Sequence, residues 1–215
     1  MTSPTHDVAA TERAALLDLF DELGPGAPTL CEGWSNHDLA AHLVARERNP
    51  KALLGIVVAP LHRLTEQAER TLRAQPFDDL VQTLRAGPPL WSAGGALRGP
   101  LAGITDVHEF YVHHEDVRRL VDPSPRQASP ELDRALWKRL QVIGPVLTRR
   151  VGVGLTASTP DGRSTRIRRG DDVVHLRGTP AELFLWLFGR RAAAQVEVEG
   201  NPAAREVALT APLGV

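Results

Sequence analysis

A chain of 215 residues with 42% apolar and 24% charged side chains can bury a sizeable core, in one domain or two. Its formal net charge of -1 supplies no electrostatic footprint for nucleic acid or an anionic membrane, so neither is an expected partner. One cysteine, Cys31, excludes an internal disulfide and makes a reducing cytoplasm the expected compartment. The first ten residues are polar and unlike a signal peptide, and the longest apolar run, residues 53–60, is far short of the ~20 residues a bilayer requires.

Thr11 to Leu23 reads as an amphipathic helix. Ala15, Leu16, Leu19, Phe20 and Leu23 form its apolar stripe, and Glu12, Arg13, Asp18 and Asp21 lie mostly off it. Residues 24–28, Gly-Pro-Gly-Ala-Pro, end it, and a loop with Cys31 and Trp34 follows. Ser35-Asn-His-Asp38 matches a capping box, which predicts a helix through Leu39 and Leu43 to about Arg48 and gives Asp38 a structural role. Residues 50–60 read as a helical piece or a bend, and Leu61 to Ala74 as an exposed, charged helix. Phe77 to Ala86 is a further helix opened by Pro76. Gly87 to Gly103 is a Gly/Pro-rich connection around Trp91, long enough to point to a functional or mobile segment. Thr105 and Asp106 are expected to cap the next helix, which runs to about Val121.

Residues 122–130 hold three prolines in nine positions, which cannot continue a helix. A domain boundary is therefore placed here, giving domains 1–122 and 123–215. The second begins with a helix from Glu131 to Arg149 that Pro145 is expected to break or kink. Val151 to Ala157 and Arg163 to Arg168 flank the turn Thr159-Pro-Asp-Gly162 as a hairpin. Val173 to Arg177 and Gln195 to Glu199 read as strands, Ala181 to Phe188 as a helix stopped by Gly189, and Asn201-Pro202 as the start of a last short helix or turn. The expected fold class is thus an all-helical up-and-down bundle followed by a small α+β domain.

The chemistry concentrates in Glu109-Phe-Tyr-Val-His-His-Glu-Asp-Val-Arg-Arg119. Glu109 and His113 are four residues apart, so a helix stacks them on one face, with Asp116 a turn further on. Such pairs also occur on solvated faces, but Phe110, Tyr111 and Val112 surround this one with apolar surface. His42 stands among Leu39, Ala40, Ala41 and Leu43, as a core histidine would, and is equally the best candidate for a third ligand. Two imidazoles and a carboxylate suit Zn²⁺, though other transition metals accept the same set, and three protein ligands leave a position open for water or substrate. Asp116 is expected either to orient a ring N–H of His113 or to pair with Arg118 or Arg119. Adjacent residues point about 100° apart on a helix, so His114 packs or bonds elsewhere and His108 falls off the face. His37 is expected to be exposed, and His62 and His175 are background. Cys31 reads as a small buried hydrophobe that lies near enough in sequence to Trp34 to approach the metal.

The string Trp34-Ser-x-x-Asp38-Leu-x-Ala-His42-Leu, followed by Glu109-x-x-x-His113-x-x-Asp116, resembles the mycothiol-dependent maleylpyruvate isomerase family. The tail, Leu183-Phe-Leu-Trp-Leu-Phe-Gly-Arg190 and Val196-Glu-Val-Glu-Gly200, is similar to the same family's C-terminal domain, and the fuller Glu109–Arg119 string to an actinobacterial subgroup described only as metal-binding. The resemblance implies a DinB-like four-helix bundle and a C-terminal α+β domain related to sterol carrier protein. It implies a divalent metal, with zinc preferred, on His42, Glu109 and His113, and mycothiol as thiol cosubstrate at its open position. A metal-bound thiol is a thiolate near neutral pH. The implied activity is an isomerase or thiol S-transferase acting on a small electrophile, in a monomer or homodimer, with Arg190 (or Arg191 equally) binding an acidic substrate. A hydrolase using metal-bound water and a non-catalytic metal- or ligand-binding module are the competing expectations. Residues 51–103 match no substrate pocket of the family, so the maleylpyruvate reaction itself is not implied.

Overall fold

The computed structural model describes residues 4–48, 69–88 and 102–213, which divide into two compact units, Met1–Asp122 and Pro123–Val215. The expected segment at 50–60, most of the Leu61 to Ala74 helix, His62 and the Trp91 connection lie outside the described residues.

The first unit holds α1 (Pro4–Leu23), α2 (Asn36–Arg48), a short helical stretch at 69–73, α3 (Phe77–Ala86) and α4 (Ala102–Val121). α1 packs along α4 and touches α3, which in turn packs on α2. Their apolar stripes meet in one core around Leu16, Phe20, Leu39, Leu43, Leu80, Leu84, Phe110 and Val117. Burial of such stripes, rather than helix propensity, is what stabilises helices of this length.

Local chemistry sets several boundaries. The Ser35 N–H and hydroxyl donate to Asp38 Oδ2 at 2.9 and 2.6 Å, completing the capping box that starts α2. Pro76, with φ -57° and ψ 141°, stands before the first turn of α3. Two expectations change. α1 begins at Pro4 rather than Thr11, since proline fits the first turn of a helix. α4 begins at Ala102, so Thr105 and Asp106 lie within the helix instead of capping it.

The second unit contains α5 (Pro130–Leu147), β1 (Gly154–Ser158), β2 (Ser164–Arg168), β3 (Val173–Arg177), α6 (Pro180–Leu187), β4 (Glu197–Glu199) and α7 (Pro202–Thr210). The sheet is mixed, in the order β2-β1-β3-β4, with only the β1–β3 pair parallel. The expected hairpin joins β1 to β2, and Gly162 supplies its positive φ of 88°. α5, α6 and α7 each follow the same device: Ser129, Thr179 and Asn201 accept an N–H bond at the N-cap and a proline comes next.

Pro145 neither breaks nor ends α5. It falls in the last turn, where its missing N–H costs one bond, to the Gln141 carbonyl, just before Thr148 closes the helix. α5 packs against β2 and α6, with Gly144 set so close to Ile167 that an added Cβ would lie 3.1 Å from its methyl. The fourth strand is shorter than the sequence pattern predicts, covering Glu197–Glu199 rather than starting at Gln195, because the Gln195 N–H is taken by the Glu182 carboxylate at 2.8 Å.

Candidate metal centre

α2 and α4 bring His42, Glu109 and His113 together. One donor atom from each lies within 4.8 Å of the others. Glu109 Oε1 stands 3.5 Å from His42 Nε2 and 3.4 Å from His113 Nε2. These separations are longer than an ordinary N–H···O bond of about 2.9 Å. They agree with the roughly 3.4 Å edge between ligands of a tetrahedral ion bound at about 2.0–2.1 Å. The donor set and its spacing therefore fit a divalent metal.

The opposite nitrogen of each ring is held by a different carboxylate. His42 Nδ1 is 2.9 Å from Glu69 Oε1, and His113 Nδ1 is 2.9 Å from Asp116 Oδ2. A carboxylate accepting the Nδ1 proton leaves the Nε2 lone pair for a metal and fixes the ring plane. Asp116 Oδ2 is placed where it can accept that proton from His113. Arg118 and Arg119 both bond to Glu115, which is fully buried.

A second triplet, Cys31, His113 and Asp116, is also compact. Its contacts have hydrogen-bond lengths: the Cys31 thiol donates to Asp116 Oδ2 at 3.2 Å, beside the His113–Asp116 bond. Cys31 is half-buried, and supports the carboxylate that supports His113. The Leu30 N–H donates to the Asp116 carbonyl at 2.9 Å, which pins the loop to α4 and puts the thiol there. The Trp34 ring, from the same loop, lies 5.1 Å from the His42 ring.

Electrostatics follow from burial and pairing. Burial alone would raise the Glu109 carboxyl, but the Arg46 guanidinium, 3.2 Å from Oε1, and the two imidazoles hold it well below the ordinary carboxylate range. Burial alone would lower His113, but Asp116, the Cys31 thiol and Glu109 together hold it well above the ordinary histidine value.

Other residues sort as follows. His114 turns to α1 and bonds Glu12 Oε2 at 2.9 Å, so Glu12 is buried rather than off the apolar stripe. His108 Nε2 comes within 4.0 Å of Glu109 Oε2 but is not among the converging donors. His37 is half-buried rather than exposed; its Nε2 lies 3.0 Å from the Gln75 carbonyl. His175 sits on β3 against Thr156. Arg190 and Arg191 belong to the second unit. Arg190 donates to the Phe188 carbonyl at 2.7 Å, while Arg191 lies over the Trp186 ring and burial lowers its pKa.

Sequence reasoning missed Glu69 and Arg46. Glu69 falls in a stretch whose charges read as an exposed face, yet it is buried. Arg46 carried a usable signal, being four residues after His42 and hence on its face.

Two solved structures align over nearly the whole chain. One is the mycothiol-dependent maleylpyruvate isomerase, at 17% identity, covering 91% of each chain with a TM-score of 0.62. The other is a histidine-to-alanine mutant of that enzyme, at 15% identity with the same coverage and a TM-score of 0.63. The chain has that isomerase's fold. No protein-family model and no curated protein matches the sequence. At such identities the likeness establishes architecture, and any chemistry must be argued from the residues.

Proposed function

We propose that the protein is a metal-dependent enzyme, an isomerase or S-transferase that uses mycothiol as cosubstrate on a small electrophile. One observation carries the metal: both Nε2 atoms face Glu109 Oε1 at 3.4 and 3.5 Å while a separate carboxylate holds each Nδ1. The fold shared with mycothiol-dependent maleylpyruvate isomerase supports the choice of thiol.

His42, Glu109 and His113 would hold the ion, zinc being the best match to two imidazoles and a carboxylate. A divalent ion there lowers the pKa of a thiol or water bound to it. Glu69 and Asp116 keep the two imidazoles in the tautomer that presents Nε2. Arg46 keeps Glu109 ionised. Trp34 covers one side of His42 with apolar surface, reducing access of water to that ring. Arg190 is the candidate for recognising an acidic group on the substrate, with Arg191 its alternate.

The test is elemental analysis of purified protein, followed by titration with mycothiol while released protons are counted. One equivalent of metal and a proton release that disappears in His42→Ala and His113→Ala support the reading. Protein purified and reconstituted without stoichiometric metal overturns it. Bound metal with turnover that needs no thiol replaces it by a hydrolase, and bound metal without turnover across an electrophile panel by a binding module.

A further inference from the structure

The second unit carries fourteen Lys and Arg side chains against nine Asp and Glu. Several of its arginines are paired: Arg134 with Glu131, Arg163 with Asp133 and Asp161, and Arg177 with Glu199. Arg166, Arg168 and Arg169 are not, since among the described residues none of the three has an ion-pair or hydrogen-bonding partner for its guanidinium. Yet these three line one cavity of about 580 Å³, together with Pro145 and Ile167 and with no acidic residue. Arg168 Nε is buried without a hydrogen-bond partner. An unpaired buried guanidinium nitrogen is costly, and like charges lining one cavity repel one another unless an anion joins them.

The backbone sets how the three side chains reach this edge. β2 is the edge strand of the sheet, so one side of it carries no ladder. Its pairing with β1 shifts by one residue: Arg166 faces Thr156 but Arg168 faces Leu155, leaving Ile167 as an extra residue. Directly opposed residues share a face, so the bulge sends Arg166 and Arg168 to opposite faces of the sheet at the same edge. Regular alternation would have put both on one face. Ile167, between them in the chain, packs against Gly144 of α5.

We infer that this edge of β2 is a binding site for a compact oxyanion carried by a small molecule, a phosphate ester or a dicarboxylate. Guanidinium groups approaching from both faces can each make paired N–H···O bonds to such a group, and arginine rather than lysine suits that geometry. The site lies wholly in the second unit and does not depend on the metal reading.

The test is calorimetric titration of the full-length protein with pyrophosphate and, separately, malonate at fixed ionic strength. Arg166→Gln/Arg169→Gln removes two exposed charges of the cavity, and Arg205→Gln on α7 removes one outside it. Saturable binding of either probe, weakened about tenfold or more in the double variant and unchanged in R205Q, supports the site. The stronger arm tells phosphoryl from carboxylate ligands. No saturable binding of either probe up to about 10 mM, no weakening in the double variant, or equal weakening in R205Q overturns it.

Discussion

Glu69 holds His42 across a gap of 27 residues: its Oε1 is 2.9 Å from His42 Nδ1, matching the 2.9 Å between Asp116 and His113 Nδ1 on α4. The two imidazoles are therefore oriented by equivalent partners that come from different parts of the chain. Losing such a partner typically costs about 10- to 100-fold in metal affinity. Glu69→Gln and Asp116→Asn should each weaken zinc by that amount with the stoichiometry kept near one. A chromophoric chelator competition measures it, and unchanged affinity in both variants would mean the ring orientations are fixed by packing alone.

Acid should release the metal. Ligands must be deprotonated to bind, and His113 in the metal-free site holds its proton well above the ordinary range. Zinc binding near neutral pH should therefore expel about one proton, with affinity falling as pH falls. Calorimetry in buffers of different ionisation enthalpy reads the proton count directly, and zero protons at neutral pH would contradict it.

The metal-free protein should show the opposite trend on the alkaline side. His113 has a raised folded-state pKa, so its contribution to stability is complete below the unfolded histidine value and disappears as pH rises through the folded value. Glu109 has a lowered one, so its contribution is present above the unfolded carboxylate value and disappears as pH falls through the folded value. Chelator-treated protein should be most stable between these limits, as urea midpoints across pH would record. Removing either partner, by Glu109→Gln or His113→Gln, should flatten the corresponding limb.

Glu12 and His114 form a buried pair between α1 and α4 on a face other than that of Glu109. Glu12→Ala would leave a buried imidazole nitrogen unsatisfied and should cost about 1–3 kcal/mol of unfolding free energy. Zinc stoichiometry should stay at one. Denaturant unfolding and elemental analysis of one preparation check both, and loss of the metal with unchanged stability would reassign His114 to the site.

Gly170 should tolerate no side chain. A Cβ there would lie 2.3 Å from the Gly154 backbone nitrogen, and backbone cannot yield as a flexible side chain does. Gly170→Ala should lower the stability of the second unit by several kcal/mol, about the scale of severe overpacking. Hydrogen exchange resolved along the sequence should show protection lost across β1 to β3, and wild-type protection there would refute the close approach.

What the sequence determined by itself is local. The Ser35–Asp38 box, the hairpin turn at Gly162 and the N-caps before α5, α6 and α7 follow from the chemistry of a few neighbouring residues. So does the pairing of Glu109 with His113, because 3.6 residues per turn puts i and i+4 on one face wherever the helix goes. His42 could be nominated from its apolar neighbours, but not brought to Glu109. The tertiary structure decided the rest. The same acidic residue type reads as solvated at Glu69 and Glu12, and both are buried because packing supplies each with an imidazole from a distant helix. Cys31 reaches Asp116 only because the Leu30 amide docks on α4. Arg166, Arg168 and Arg169 are a plain basic run in the sequence, and only the folded sheet edge places all three on the lining of one cavity. Spacing along the chain fixes which side chains share a face, and only packing fixes which faces meet.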